Sequence, residues 1–177
     1  MQLHAARAKE VDMVVALLIG VALGATVHEG TWTAGAQLAE MEVAAREAVN
    51  VAVAPLGFLK RPIARMVLVR ATAPCAELRI QRAYGSEALS ITCDDKKSAI
   101  APPDGAAVRF IGRDGRSMDL THAIDGTGAL VQTFANARGT RTNRMVFQPD
   151  GGLTMEVTID AAVLDSALHY AIKYSGQ

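Results

Sequence analysis

Residues 153–160 read LTMEVTID, with Leu153, Met155, Val157 and Ile159 on one parity and Thr154, Glu156, Thr158 and Asp160 on the other. Side chains alternate across a strand, so this two-residue period describes a strand with one buried and one wet face. The same period extends in both directions. ELRIQRA (77–83) and EALSITC (87–93) flank a turn at Tyr84-Gly85-Ser86. AAVRFIG (106–112) and SMDLTHAI (117–124) flank Arg113-Asp114-Gly115-Arg116, where Asp-Gly is a strong hairpin signal. Asp125–Gly128 leads into ALVQTFA (129–135), Pro149–Gly152 joins RGTRTNRMVFQ (138–148) to 153–160, and ALHYAIKYS (167–175) comes last. Adding Gly30–Thr33 and a short piece near Lys97–Ile100 gives nine or ten strands, with turn signals every 8–12 residues. That is the pattern of an antiparallel barrel or sandwich.

Between Gly30–Thr33 and residue 77 the period changes. In AQLAEMEVAAREAVNVA (36–52), Leu38, Met41, Ala45, Val49 and Ala52 fall at three- and four-residue spacing, which predicts a helix ended by Pro55 and Gly57. FLKRPIARMVLVR (58–70) is ambiguous: Pro62 suits a helix start, while Met66–Val69 also reads as a buried strand. It is read as a second short helix, making a helical insert of about 36–70.

The whole chain holds 177 residues, 50% of them apolar, with 18 basic against 18 acidic side chains and a mean hydropathy of +0.19. That length suits one domain with a real core. The neutral balance lacks the electrostatic footprint of a nucleic-acid binder or of an acidic-membrane binder. Much of the apolar excess lies in Met13–Val27, fifteen uncharged residues preceded by Arg7 and Lys9 and containing Ala22-Leu23-Gly24. A basic stretch, a short apolar run and a small-x-small exit describe a secretory signal peptide, expected at 1–24, and fifteen residues is short for a spanning helix. An uncleaved anchor and a buried core helix are the alternatives. Removing 1–24 takes away Arg7, Lys9, Glu10 and Asp12, leaving 16 basic and 16 acidic residues in a single domain over 25–177. The expected location is secreted or periplasmic, where a disulfide between Cys75 and Cys93 is permitted. Sequence alone does not pair them.

Strand parity also sorts the polar residues. Seven share the apolar parity of their strands: Arg82, His122, Gln132, Arg141, Asn143, Tyr170 and Tyr174. Among them run Phe110, Phe134 and Met145. A barrel of this strand number is about wide enough for one small ligand, and ligand cavities are mostly apolar with a few convergent polar groups. One reading is that Arg141, Tyr170 and His122 grip a polar head while aromatic and Met side chains enclose an apolar body, the planar guanidinium suiting a carboxylate. The competing reading is that Arg82, Arg141 and Tyr174 snorkel at the rim, His122 is a structural histidine and Tyr170 a core tyrosine.

Gly30-Thr31-Trp32 on a first strand resembles the Gly-x-Trp signature of the calycins, the superfamily of lipocalins and fatty-acid-binding proteins. The helical pair after that strand resembles the lid of the fatty-acid-binding branch, and the chain is similar to exported bacterial lipocalin-like proteins with a GTW start. The resemblance spans about 29–175 and implies an up-and-down barrel of 8–10 strands that carries a small hydrophobic ligand, a fatty acid or other lipid acid. It further implies a basic residue near the C-terminus stacked on the Trp, for which Lys173 is the matching position, although the family more often has Arg. Arg141 and Tyr170 are analogues of the head-group residues by this resemblance alone. Calycin-like barrels also host isomerase or cyclase chemistry, which His122 with Tyr170 keeps open as an alternative. A third reading is a structural or interaction protein whose barrel is filled by its own side chains.

No nucleophile elbow, HExxH, dinucleotide or P-loop motif occurs, so no catalytic residue, metal or cofactor is expected. Lys60, Arg61, Arg65 and Arg70 place four positive charges within eleven residues of the helical insert. They suggest transient contact with an anionic membrane surface, against the plainer reading of a solvated lid. A monomer is expected.

Overall fold

The computed structural model describes residues 27–112 and 115–177. The expected leader at 1–24 lies outside them, as do Arg113 and Asp114 of the turn. The strands are β1 (Gly30–Thr33), β2 (Glu77–Arg82), β3 (Leu89–Cys93), β4 (Ala99–Ala101), β5 (Val108–Ile111), β6 (Ser117–Ile124), β7 (Leu130–Asn136), β8 (Gly139–Phe147), β9 (Leu153–Ala161) and β10 (Leu168–Gly176). Helices α1 (Leu38–Val53) and α2 (Arg61–Thr72) lie between β1 and β2, as the change of period requires.

Every strand pairs antiparallel with its neighbour in sequence, with two exceptions. β1 pairs with β10 as well as β2, and β4 does not pair with β5, so the order is β4-β3-β2-β1-β10-β9-β8-β7-β6-β5. This is an up-and-down sheet curled into a nearly closed barrel. Across the gap, Asp104 bridges Ala123 and the Gly105 N–H donates to the His122 carbonyl at 2.9 Å.

The ambiguous segment resolves as a turn at 58–60 followed by the helix Arg61–Thr72. Ala64, Leu68 and Thr72 recur every four residues and are the buried face, with Pro62 in the first turn where its missing N–H costs nothing. Arg61 donates to the Ala54 and Leu56 carbonyls at 2.6 and 3.1 Å, capping the otherwise orphaned end of α1. Met41, Ala45, Val49 and Val53 form the inward stripe of α1. Both helices join one core with the barrel side chains, among them Leu78, Ile80, Met145, Met155, Val157 and Ile172. Burying a side chain of Val or Leu size stabilises by about 1.5–3 kcal/mol, so docking the inward stripes of both helices outweighs their weak intrinsic stability. A second, smaller cluster of Ala99, Ala101 and Leu120 lies on the gap side, with Val108, Phe110 and Phe134 packed against it.

Cys75 and Cys93 form a disulfide with Cα atoms 5.3 Å apart. The partner of Cys93 in the β2–β3 ladder is Leu78; Cys75 precedes β2, so the bridge ties the linker after α2 to the end of β3.

Trp32 shows why its strand begins with glycine. The indole N–H donates to the Gly151 carbonyl at 3.1 Å, the ring packs on Phe147 with centroids 5.5 Å apart, and its edge lies over Gly30. A Cβ on Gly30 would stand 3.1 Å from the ring, and one on Gly176 would stand 2.4 Å from the Gly151 carbonyl oxygen. Lys173 does not take the stacking position expected of it. It is exposed on the odd parity of β10, whereas Ile172 and Tyr174 on the even parity are buried. Residue 173 is two or more positions short of the residues that pair with β1, Ser175 and Gly176.

Candidate functional site

Inside the barrel, one cross-strand row runs His122, Gln132, Asn143, Val157, Tyr170 over β6 to β10. The row on one side is wholly apolar: Ile124, Leu130, Met145, Met155, Ile172. The row on the other carries a single polar residue, Arg141, among Leu120, Phe134, Ile159 and Leu168. Neighbours in a row are close enough to bond, and here they do.

The polar groups form one directed chain. Arg141 Nε donates to Asn143 Oδ1 at 2.9 Å, Asn143 Nδ2 to Gln132 Oε1 at 2.8 Å, and Gln132 Nε2 to His122 Nε2 at 3.1 Å. His122 Nδ1 then donates to the Ala101 carbonyl of β4 at 3.2 Å. The tautomer is assigned by this network: a Gln132 NH₂ facing Nε2 leaves the proton on Nδ1. Burial holds the His122 pKa below its usual 6.5, against hydrogen bonding to the Ala101 and Leu89 backbone that works the other way. A proton on Nε2 would confront the Gln132 NH₂ as well, so both effects favour the neutral ring. Bonds aligned in one direction polarise one another, and His122, Gln132 and Asn143 are all buried.

At the other end the chain meets α2. Arg141 Nη1 donates to the Ala71 carbonyl, and the Tyr170 hydroxyl donates to the Thr72 carbonyl at 3.0 Å. These are carbonyls of the last turn of α2, which have no helical partner and carry the negative end of the helix dipole. The Tyr174 hydroxyl lies buried next to the Cys75 backbone yet makes no hydrogen bond among the described residues. Burial pushes its pKa up to about 12, with the Cys75 backbone and the Arg141 charge pulling down. Burial likewise raises Tyr170, again opposed by Arg141. Arg141 and Tyr170 thus face the last turn of α2, and Tyr174 lies beside Cys75 in the linker that follows it. A cavity of about 70 Å³ lies between that turn and α1, lined by Ala45, Arg46, Val69, Thr72 and Pro74 among others.

Of the residues that parity selected, the structure brings together His122, Gln132, Asn143, Arg141, Tyr170 and Tyr174. Arg82 is a correction: it is exposed at the end of β2 and pairs with Glu29 at 3.1 Å and Glu87 at 2.6 Å. Its parity is inward, but the strand ends there and the guanidinium reaches water. Phe110 and Phe134 stack edge to face, 5.5 Å between centroids, in the gap-side cluster, with Lys97 over the Phe110 ring at 5.3 Å. Met145 is fully buried. The acceptors that complete the site, the carbonyls of Ala71, Thr72 and Ala101, are backbone atoms. Side-chain patterning carries no signal for them.

No family model matches the chain, and no curated protein does. Among solved structures it is similar to the REP1-NXSQ fatty acid transporter, at 18% identity and a TM-score of 0.43, covering 84% of this chain and 95% of that one. A tyrosine-to-phenylalanine mutant of the same transporter gives 17% identity and a TM-score of 0.42, with 84% and 97% covered.

Proposed function

We propose that the barrel binds a small apolar acid, with Arg141, Tyr170 and Tyr174 as the head-group site. One observation carries this reading: two inward donors hold backbone carbonyls of the last turn of α2, and Tyr174, beside Cys75 in the linker that follows, has a buried hydroxyl without a partner among the described residues. An orphaned buried hydroxyl is costly, and a carboxylate supplies more acceptor capacity and a full charge where the helix end supplies partial charge. The acid displaces Ala71 and Thr72 from the donors, and its apolar body is enclosed by side chains from the barrel core. In this reading the role is carriage, with both ring nitrogens of His122 engaged in the polar chain. Work outside the cytoplasm is supported by the disulfide, a bond that persists in oxidising compartments.

Displacement of a dansylated fatty acid by dodecanoic acid and by dodecanol tests this. The acid is expected to bind more tightly than the alcohol. Arg141→Ala is expected to weaken the acid about 10- to 100-fold, the worth of a hydrogen bond to a charged group, and to leave the alcohol nearly unchanged. Equal loss for both, or no binding of the probe, would overturn the reading. The alternative, a barrel filled by its own residues, is favoured by the single core that the helices share with β1–β3 and β7–β10. It predicts that no lipid co-purifies with the protein in native mass spectrometry.

A further inference from the structure

Helix α2 is apolar on two faces. Ala64, Leu68 and Thr72 face the core, yet Ile63, Met66 and Val67, at the three- and four-residue spacing of another face, are 64%, 54% and 54% exposed. Phe58 and Leu59, in the connection from α1, are 81% and 70% exposed, and Val51 in the last turn of α1 is 74% exposed. Six of the exposed large apolar residues thus fall within one stretch of seventeen, 51–67. Scattered exposed apolar residues need no explanation, but a concentrated group does.

The charge around this group is one-sided. No acidic residue occurs between Glu47 and Glu77, while Lys60, Arg61, Arg65 and Arg70 do. The rest of the chain holds the other 14 basic residues against all 18 acidic ones, so the segment is +4 and the remainder −4. Arg61 is occupied in capping α1. Lys60, Arg65 and Arg70 form no ion pair among the described residues, and all three are exposed.

From this we infer that the α1–α2 connection and the outer face of α2 dock on an anionic lipid bilayer. Phe58, Leu59, Ile63, Met66 and Val67 enter the boundary between headgroups and acyl chains, and Lys60, Arg65 and Arg70 meet the lipid phosphates. Phe and Leu interleaved with Lys and Arg on one surface is the composition that lies in a membrane interface. A second copy of this chain fits poorly: a two-fold interface on this patch would set its three unpaired cations against their own copies. The inference is independent of what the barrel holds, because all of these residues point away from it.

The test is flotation of the full chain with vesicles of phosphatidylcholine alone or mixed with phosphatidylglycerol. Binding is expected only with phosphatidylglycerol and is expected to fall with added salt. Each cation near an anionic surface strengthens partitioning about fivefold, so Lys60→Ala with Arg65→Ala should weaken it by roughly 25-fold. Phe58→Ser with Leu59→Ser should weaken it tenfold or more, from lost apolar insertion. Both pairs are exposed, so circular dichroism and the melting midpoint should match wild type. The uncharged stretch 13–27 is identical in all variants; if it were the source of binding, both variants would float as wild type does, and the inference would be overturned. Equal flotation without phosphatidylglycerol, or no flotation with dimers in sedimentation, would overturn it too.

Discussion

Where β10 meets β1 the barrel is joined by backbone pairing and by an indole wedged among glycines. Where β4 faces β5 and β6, by contrast, the backbone contributes one bridge with its bond, and the rest is side chains: the small apolar cluster, Lys97 on the Ile111 carbonyl and the imidazole of His122. The first junction is steric. Trp32 covers Gly30, donates to Gly151 and packs on Phe147, and Gly176 leaves room for the Gly151 carbonyl. The second has a polar component that is part of the site, since His122 ends the hydrogen-bond chain that begins at Arg141. A junction made of packing ignores pH and punishes lost volume. A junction that includes a neutral, buried histidine depends on its protonation.

That contrast can be broken at either end. Trp32→Ala should cost most, about 3–5 kcal/mol in urea unfolding, as expected for removing a buried large aromatic. A loss near 1 kcal/mol would mean that β1 is not held by its indole. His122→Leu should come next, at about 1–3 kcal/mol, because it leaves the Gln132 amide and the Ala101 carbonyl unpaired in the interior. This junction should also show the pH dependence. With the native pKa of His122 held below 6.5, the unfolded chain takes the proton more readily. The stabilisation is therefore whole above pH 6.5 and shrinks as the pH falls through the lower native value. Wild type should lose stability below pH 6.5 more steeply than His122→Leu; parallel profiles would place the titration elsewhere. Gly176→Ala should cost about 1–2 kcal/mol, since its Cβ would meet the Gly151 carbonyl oxygen and the backbone must shift. Gly30→Ala should cost least, about 0.5 kcal/mol, because only the Trp32 ring must shift.

The strands were legible because one face of each is wet. LTMEVTID alternates without a break, and the observed β9, Leu153–Ala161, buries Leu153, Met155, Val157 and Ile159. α2 was ambiguous for a physical reason: with Ala64 and Leu68 inward and Ile63, Met66 and Val67 outward, its apolar residues surround it and leave no single-face period. Parity found the six polar residues of the interior but failed at strand ends. There Arg82 turns to water and Lys173, taken from the resemblance, lies on the wrong face for Trp32. The pairing of Cys75 with Cys93 was open because Cys75 lies in the linker, outside any strand register. Least legible was what the donors hold, because the end of α2 meets Arg141 and Tyr170 from 70 and 98 residues away through main-chain oxygens.

The central claim is that an acid takes the place of those oxygens. Amide hydrogen exchange over residues 68–76, with and without saturating dodecanoic acid and with dodecanol as control, addresses it most directly. Release of the Ala71 and Thr72 carbonyls predicts faster exchange in the last turn of α2 with the acid and no change with the alcohol. Acid binding that leaves this turn as protected as before, or equal acceleration by acid and alcohol, would contradict it.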